Sequence, residues 1–224
     1  MTLPLKTRLS EEQNAHLRFI FDLMSKQDDS TYIGEQISQL AHSLQAAHLA
    51  ATSGESENVA IAALLHDIGQ VLPLTTKNDI RHLHKQGDIL DEEGKSVGRI
   101  GHELIGEKYL RENGWPEEVS ALVGAHVMAK RYLAMQLDYF NSLSNASRSS
   151  LKGQGGPFSE EEAEHLRATD PMLEKKIALR KFDDGAKVVG KQTRTLKQWW
   201  ETACRVYLGQ GRSSVALLEV EVQD

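Results

Sequence analysis

Cysteine is almost missing: Cys204 is the only one in 224 residues. That excludes a disulfide framework and a thiolate zinc cage. Basic residues are in deficit, 26 Lys and Arg against 32 Asp and Glu, leaving a net charge of -6. This balance argues against a broad surface for nucleic acid or anionic membrane. No apolar run approaches the roughly 20 residues that span a bilayer. Residues 1–9 lack the apolar stretch of a secretory signal. The chain therefore reads as soluble and cytoplasmic. Its 40% hydrophobic content is too high for a disordered chain. At roughly 100–200 residues per domain, it is one domain with trimmings. What the chain does have is histidine, nine of them, which makes a site of imidazole and carboxylate worth seeking.

The hydrophobic pattern predicts an all-α protein. Ser10-Glu11-Glu12-Gln13 reads as a capping box opening a first helix, and Ser159-Glu160-Glu161-Glu162 as another. A turn at residues 31–34 precedes a helix over 35–52. Residues 57–68 form a short, almost wholly apolar helix, which is expected to be central. Residues 71–98, polar and carrying Pro73, Gly87 and Gly94, read as a long loop or lid with one helical turn. Helices follow at 100–113 and 117–129, the latter continuing through 131–140. Residues 142–157 read as a second loop. Helices over 172–183 and 195–208 follow, and the tail at 213–222 has some strand character.

His66-Asp67 closes the buried helix. Two polar residues there are costly unless satisfied. His42 lies in the preceding helix, and His102 and His126 in the next two. Asp183 closes the helix before the last. Side chains so placed can converge on metal in a bundle core. Imidazole and carboxylate without thiolate suit Fe, Mn, Zn or Ni. Six ligands, one an Asp able to bridge, fit two metals better than one.

This ordered set resembles the HD-domain superfamily of dinuclear metalloproteins, over residues 32–184. The resemblance implies an HD-domain helical bundle over 31–209, with a helical extension at 1–30 and a tail at 210–224. It implies one metal on His42, His66, Asp67 and Asp183. The second would sit on His102 and His126, with Asp67 bridging. His16, His48, His82, His84 and His165 match no family position and read as surface or packing residues.

Further features resemble the HD-domain oxygenases that degrade organophosphonates. Tyr32-Ile33-Gly34-Glu35 precedes His42. Glu35 and His42 are seven apart, so a helix would put them on one face. By resemblance, Tyr32 fills an open metal position before substrate arrives and Glu35 helps to hold it. Lys130 lies four residues after His126, on the same helical face, where a bound anion would make it welcome. Residues 147–157 offer Ser147, Ser150 and Gln154 to a phosphonate. Both serines suit the family's position. Arg180, three before Asp183, has a guanidinium fork for phosphonate oxygens.

The resemblance implies two iron ions in a mixed-valent Fe(II)/Fe(III) state, with O2 as co-substrate. The substrate would be a small 1-hydroxy-2-(substituted)aminoethylphosphonate, and the products a glycine- or betaine-type carboxylate and phosphate. One departure stands out. The aminophosphonate enzymes read His-Asp-x-Gly-His, whereas this chain has Gln70 in the last place. An amide cannot titrate there, so the amino end would be met differently. The enzyme alternative is a metal-dependent phosphohydrolase of a nucleotide or other phosphate ester. The non-enzymatic alternative is a degenerate HD module that senses or binds a partner.

Overall fold

Side-chain caps set many of the helix starts. The computed structural model describes residues 9–28, 32, 36–73 and 87–215. Ser10 and Gln13 form a full capping box at α1 (Glu11–Ser25), and Ser159 with Glu162 does the same at α9 (Glu160–Thr169). Ser38 caps α2 (Gln39–Thr52) and Ser56 caps α3 (Glu57–Leu65). Such a cap is worth about 1 kcal/mol.

The helix α3 is buried on all sides (Val59, Ile61, Leu64 and Leu65 are among its core residues). The chain breaks at His66-Asp67 and restarts as α4 (Ile68–Val71). Then come α5 (His102–Glu112), α6 (Glu117–Leu133) and α7 (Leu137–Ser142). After α8 (Asn145–Gly153) and α9 stand α10 (Leu173–Gly185) and α11 (Leu196–Tyr207). The helices α2, α3, α6 and α10 pack on one another, with α5 against α6 and α4. Glu57, fully buried in the first turn of α3, takes a two-point grip from Arg205 of α11. Among the described residues, no helix is long and apolar enough to cross a membrane.

The structure corrects several sequence expectations. The segment 71–98 is not simply a loop. Its described part holds an antiparallel hairpin of β1 (Asp88–Leu90) and β2 (Ser96–Arg99). The turn between them is fastened by Asp91, which accepts from Glu93 N and Lys95 N. The segment 142–157 is mostly α8, capped by Ser144. The helix α6 stops at Leu133, and α7 starts anew at Leu137. Lastly, α2 begins at Gln39 and not at 35, because Ser38 caps it. The seven-residue spacing from Glu35 to His42 therefore does not run along one helix. Glu35, His82, His84 and the tail from 216 lie outside the described residues.

Candidate metal centre and adjoining anion cavity

The break after α3 turns His66 and Asp67 toward three other helices. The glycine two residues on makes the approach possible. A Cβ on Gly69 would sit 1.9 Å from the His102 carbonyl oxygen, so only a bare α-carbon lets α4 lie against the start of α5.

Four imidazoles meet there, and each is anchored the same way. His42 Nδ1 donates to Ala186 O at 2.8 Å, and His66 Nδ1 to Ala63 O at 2.8 Å. His102 Nδ1 donates to Arg99 O at 2.9 Å, and His126 Nδ1 to Val123 O at 2.8 Å. A carbonyl can only accept, so each Nδ1 carries the proton, and a neutral ring then has a bare lone pair on Nε2. These lone pairs face one another: His42 Nε2 is 3.1 Å from His66 Nε2, and His102 Nε2 is 2.9 Å from His126 Nε2.

The carboxylates complete the arrangement. Asp67 lies between the two pairs, with Oδ2 3.5 Å from His66 Nε2 and Oδ1 3.3 Å from His102 Nε2. Gln39 Nε2 donates to Asp67 Oδ2 at 3.0 Å. Asp183 Oδ1 is 3.3 Å from His42 Nε2, buried and without a hydrogen-bond partner. Lone pairs facing lone pairs in a dry core repel unless a cation lies between them. The donor set thus fits metal, in two groups that share Asp67: His42, His66 and Asp67, and Asp67, His102 and His126. Asp183 closes the first group.

Of the charge states, those of Asp67, Asp183 and His126 suit a ligand, while His102 shifts the other way. Burial acts to raise both aspartates. Around Asp67 the three nearby imidazoles outweigh it, and around Asp183 Arg180 does, so both stay well below the usual carboxylate range. Burial, with His102 and His66 beside it, drives His126 down to about 3. Burial acts to lower His102, but the Asp67 carboxylate outweighs it, and the net shift is upward.

A small polar cavity opens onto this cluster. Every candidate substrate contact expected from the sequence lines it: Gln70, Lys130, Ser147, Ser150, Gln154 and Arg180. So does Tyr32, whose ring stacks on His42 at 3.8 Å between centroids. Burial, together with Asp183 and Asp67, raises Tyr32 well above its ordinary value, so the phenol keeps its proton. Lys130 is 3% exposed. Burial and the nearby Arg180 bring it down to about 7. Its Nζ donates to Ser150 Oγ at 2.9 Å.

Two placements add to the sequence reading. Arg180 faces the cavity, but it also holds carboxylates: Nη1 donates to Asp183 Oδ2 at 2.7 Å, and Nε and Nη2 donate to Asp184. It therefore orients Asp183 while adding charge to the cavity. Gln70 has its amide oxygen engaged by Arg99 N at 2.8 Å. Sequence reasoning missed Lys187. It lines the cavity, donates to Ser147 Oγ at 3.0 Å, and lies 6.0 Å from the centre of the Tyr32 ring. Lys187 lies beyond the end of α10 at Gly185, where helical spacing gives a side chain no direction, so no signal in the sequence marked it. Among the leftover histidines, His16 is a packing residue, accepting from Trp115 Nε1 and lying beside Tyr109 and Tyr207. His165 is exposed.

A helical bundle with a dinuclear His/Asp centre in its core defines the class. The chain matches the HD domain over residues 40–205 and belongs to that family. It is 36% identical over 192 residues to the hydroxymethylphosphonate dioxygenase of Gimesia maris, covering 85% of this chain and 88% of that one. It is 34% identical over 178 residues to the [1-hydroxy-2-(trimethylamino)ethyl]phosphonate dioxygenase (glycine-betaine-forming) of Leisingera caerulea, covering 79% and 83%. An uncharacterised protein of Acanthamoeba polyphaga mimivirus is 35% identical over 197 residues, covering 88% and 83%.

Proposed function

We propose that this protein is an O2-dependent diiron oxygenase that cleaves the carbon–phosphorus bond of a 1-hydroxyalkylphosphonate. One observation carries the reading: a cavity lined by Lys130, Lys187 and Arg180 opens directly onto the His/Asp cluster. An anion drawn in by the two lysines comes to rest beside the metal ligands. Both named relatives act on phosphonates whose phosphorus-bearing carbon carries a hydroxyl. That shared unit is what we assign to this cavity.

His42, His66, Asp67 and Asp183 hold one metal, and Asp67, His102 and His126 hold the other. Donors of this type without thiolate suit iron. When bound, the two irons, mixed-valent Fe(II)/Fe(III), supply the redox chemistry that spends O2 on the substrate carbon. The chain's own residues do the rest. Protonated Lys130, Ser147, Ser150 and Gln154 grip the phosphonate, and Arg180 both fixes Asp183 and adds positive charge. Tyr32 covers His42 until substrate enters. Gln70 meets the substituent on the hydroxylated carbon, and Glu35 is the partner for a cationic one. For hydroxymethylphosphonate dianion and O2, the products balance as formate, hydrogen phosphate dianion and one proton. An aminomethyl or trimethylaminomethyl substituent on that carbon gives glycine or glycine betaine in place of formate. The working unit is residues 31–209, with 1–30 and 210–224 as its extensions. The partner is a small molecule and not a nucleic acid.

The test starts from protein loaded with Fe(II) under anaerobic conditions, with limited O2 then admitted. A mixed-valent EPR signal that shifts on adding a hydroxyphosphonate is expected. Phosphate release from a panel of hydroxymethyl-, 1-hydroxy-2-aminoethyl- and 1-hydroxy-2-(trimethylamino)ethyl-phosphonates should track O2 uptake. Release that continues without O2 sinks the reading in favour of phosphohydrolysis.

A further inference from the structure

Lys130 and Arg131 are neighbours on α6 with different tasks. Lys130 reaches into the cavity toward Ser150. Arg131 does not line the cavity; it takes hold of the turn that follows α8. Its Nε donates to the Gly156 carbonyl at 2.8 Å. Its guanidinium lies over Phe158, 4.4 Å from the ring centre. Its own carbonyl accepts from Phe158 N at 3.2 Å. Gly155 and Gly156 have φ of 100° and 72°, a conformation open to glycine at little cost. The turn is therefore tight and is gripped from α6 on its far side.

Gln154 stands immediately before these glycines. Its side chain lines the cavity, and its amide oxygen is buried with no hydrogen-bond partner. Such an atom calls for a donor from a ligand. Nothing that the oxygen itself bonds to holds the amide in place, so its aim depends on the backbone beneath it.

We propose that Arg131 is a positioning residue that clamps the 154–157 turn and thereby keeps the Gln154 amide aimed at the bound substrate. The proposal rests on reading the cavity as a hydroxyphosphonate site. Lys130 and Arg131 together then tie α6 to both ends of the donor wall, at Ser150 and at Gly156.

The experiment compares Arg131→Ala, Gln154→Ala and the double variant. It reads KM and kcat for phosphate release, metal content, and inorganic phosphate affinity by calorimetry. Each single variant is expected to raise KM about five- to tenfold, as for one lost hydrogen-bonded contact, with metal content unchanged. Phosphate affinity should weaken in parallel. The double variant should match Gln154→Ala alone, because the clamp works through that amide. Phe158→Leu should shift KM the same way by less, and it carries the test if Arg131→Ala does not fold. Additive losses in the double variant overturn the proposal. So does a lowered melting temperature with unchanged KM in both clamp variants. If wild-type protein turns over no hydroxyphosphonate yet shows the non-additive phosphate pattern, the oxygenase reading falls and the clamp stands. No phosphate binding in wild type overturns the clamp as well.

Discussion

In the His/Asp cluster every imidazole is anchored to the main chain, through carbonyls of Ala186, Ala63, Arg99 and Val123. In the cavity beside it, the cations are anchored to other side chains: Lys130 to Ser150, Lys187 to Ser147, Arg180 to Asp183 and Asp184. A main-chain carbonyl in α3 (Ala63), α6 (Val123), β2 (Arg99) or just past α10 (Ala186) cannot rotate as a side chain can, so each imidazole has one orientation before any metal arrives. A serine hydroxyl can turn, and a substrate oxygen can take its place on the lysine. The cluster is preorganised for one task, while the wall can exchange its internal bonds for a ligand.

The largest expected break of this contrast is Asp67→Ala. Asp67 belongs to both ligand groups, so elemental analysis should find both metals lost, and phosphate release should vanish. Retention of one full metal equivalent would mean that the groups load independently.

Arg180→Ala comes next, because Arg180 bridges the two regions. Losing the Asp183 contact should weaken metal binding about 10- to 100-fold and raise KM as well. Arg180→Lys keeps the charge and loses the fork. It should restore KM more than metal affinity. Equal rescue of both would remove the orienting role.

Lys130→Met attacks the wall alone. Loss of a charged hydrogen-bond donor should weaken inorganic phosphate about 10- to 100-fold and leave metal content unchanged. The wild-type protein also carries a pH signature here. Burial sets Lys130 at about 7. The ammonium that attracts an anion is therefore present below that pH and lost above it, and affinity should fall as pH rises from 6 to about 9. Lys130→Arg stays charged throughout. Calorimetry should find that step flattened in it.

The smallest effect belongs to Ser147→Ala, which removes a hydroxyl that Lys187 touches. A few-fold rise in KM is expected, as for one lost hydrogen-bonded contact, with no change in metal content. A metal loss here would show that the wall and the cluster are not separable.

The ligand set was legible because its members sit in helices that announce themselves. Val59, Ile61, Leu64 and Leu65 mark a core helix, and a His-Asp pair at its end is conspicuous for being polar. The hairpin was not legible. Its strands are short, and Asp91, Glu92, Glu93 and Gly94 between them read as loop. The helix α8 was hidden for a related reason: Ser147, Ser149 and Ser150 are weak helix formers, and the segment is helical through its Ser144 cap and its packing on the hairpin. Lys187 escaped notice because it lies beyond the end of α10, where helical spacing no longer says which way a side chain turns.

Caps, apolar periodicity and the ordered His and Asp positions are properties of short stretches of chain, and the sequence alone determined them. It therefore determined the helical class and the six candidate ligands. Which nitrogen of each imidazole faces the others, that Arg180 clasps the acids beside it, and that Lys187 joins Lys130 around one cavity were decided by how α2, α3, α6 and α10 pack. Those are distances between residues far apart in the chain, and only the tertiary contacts set them.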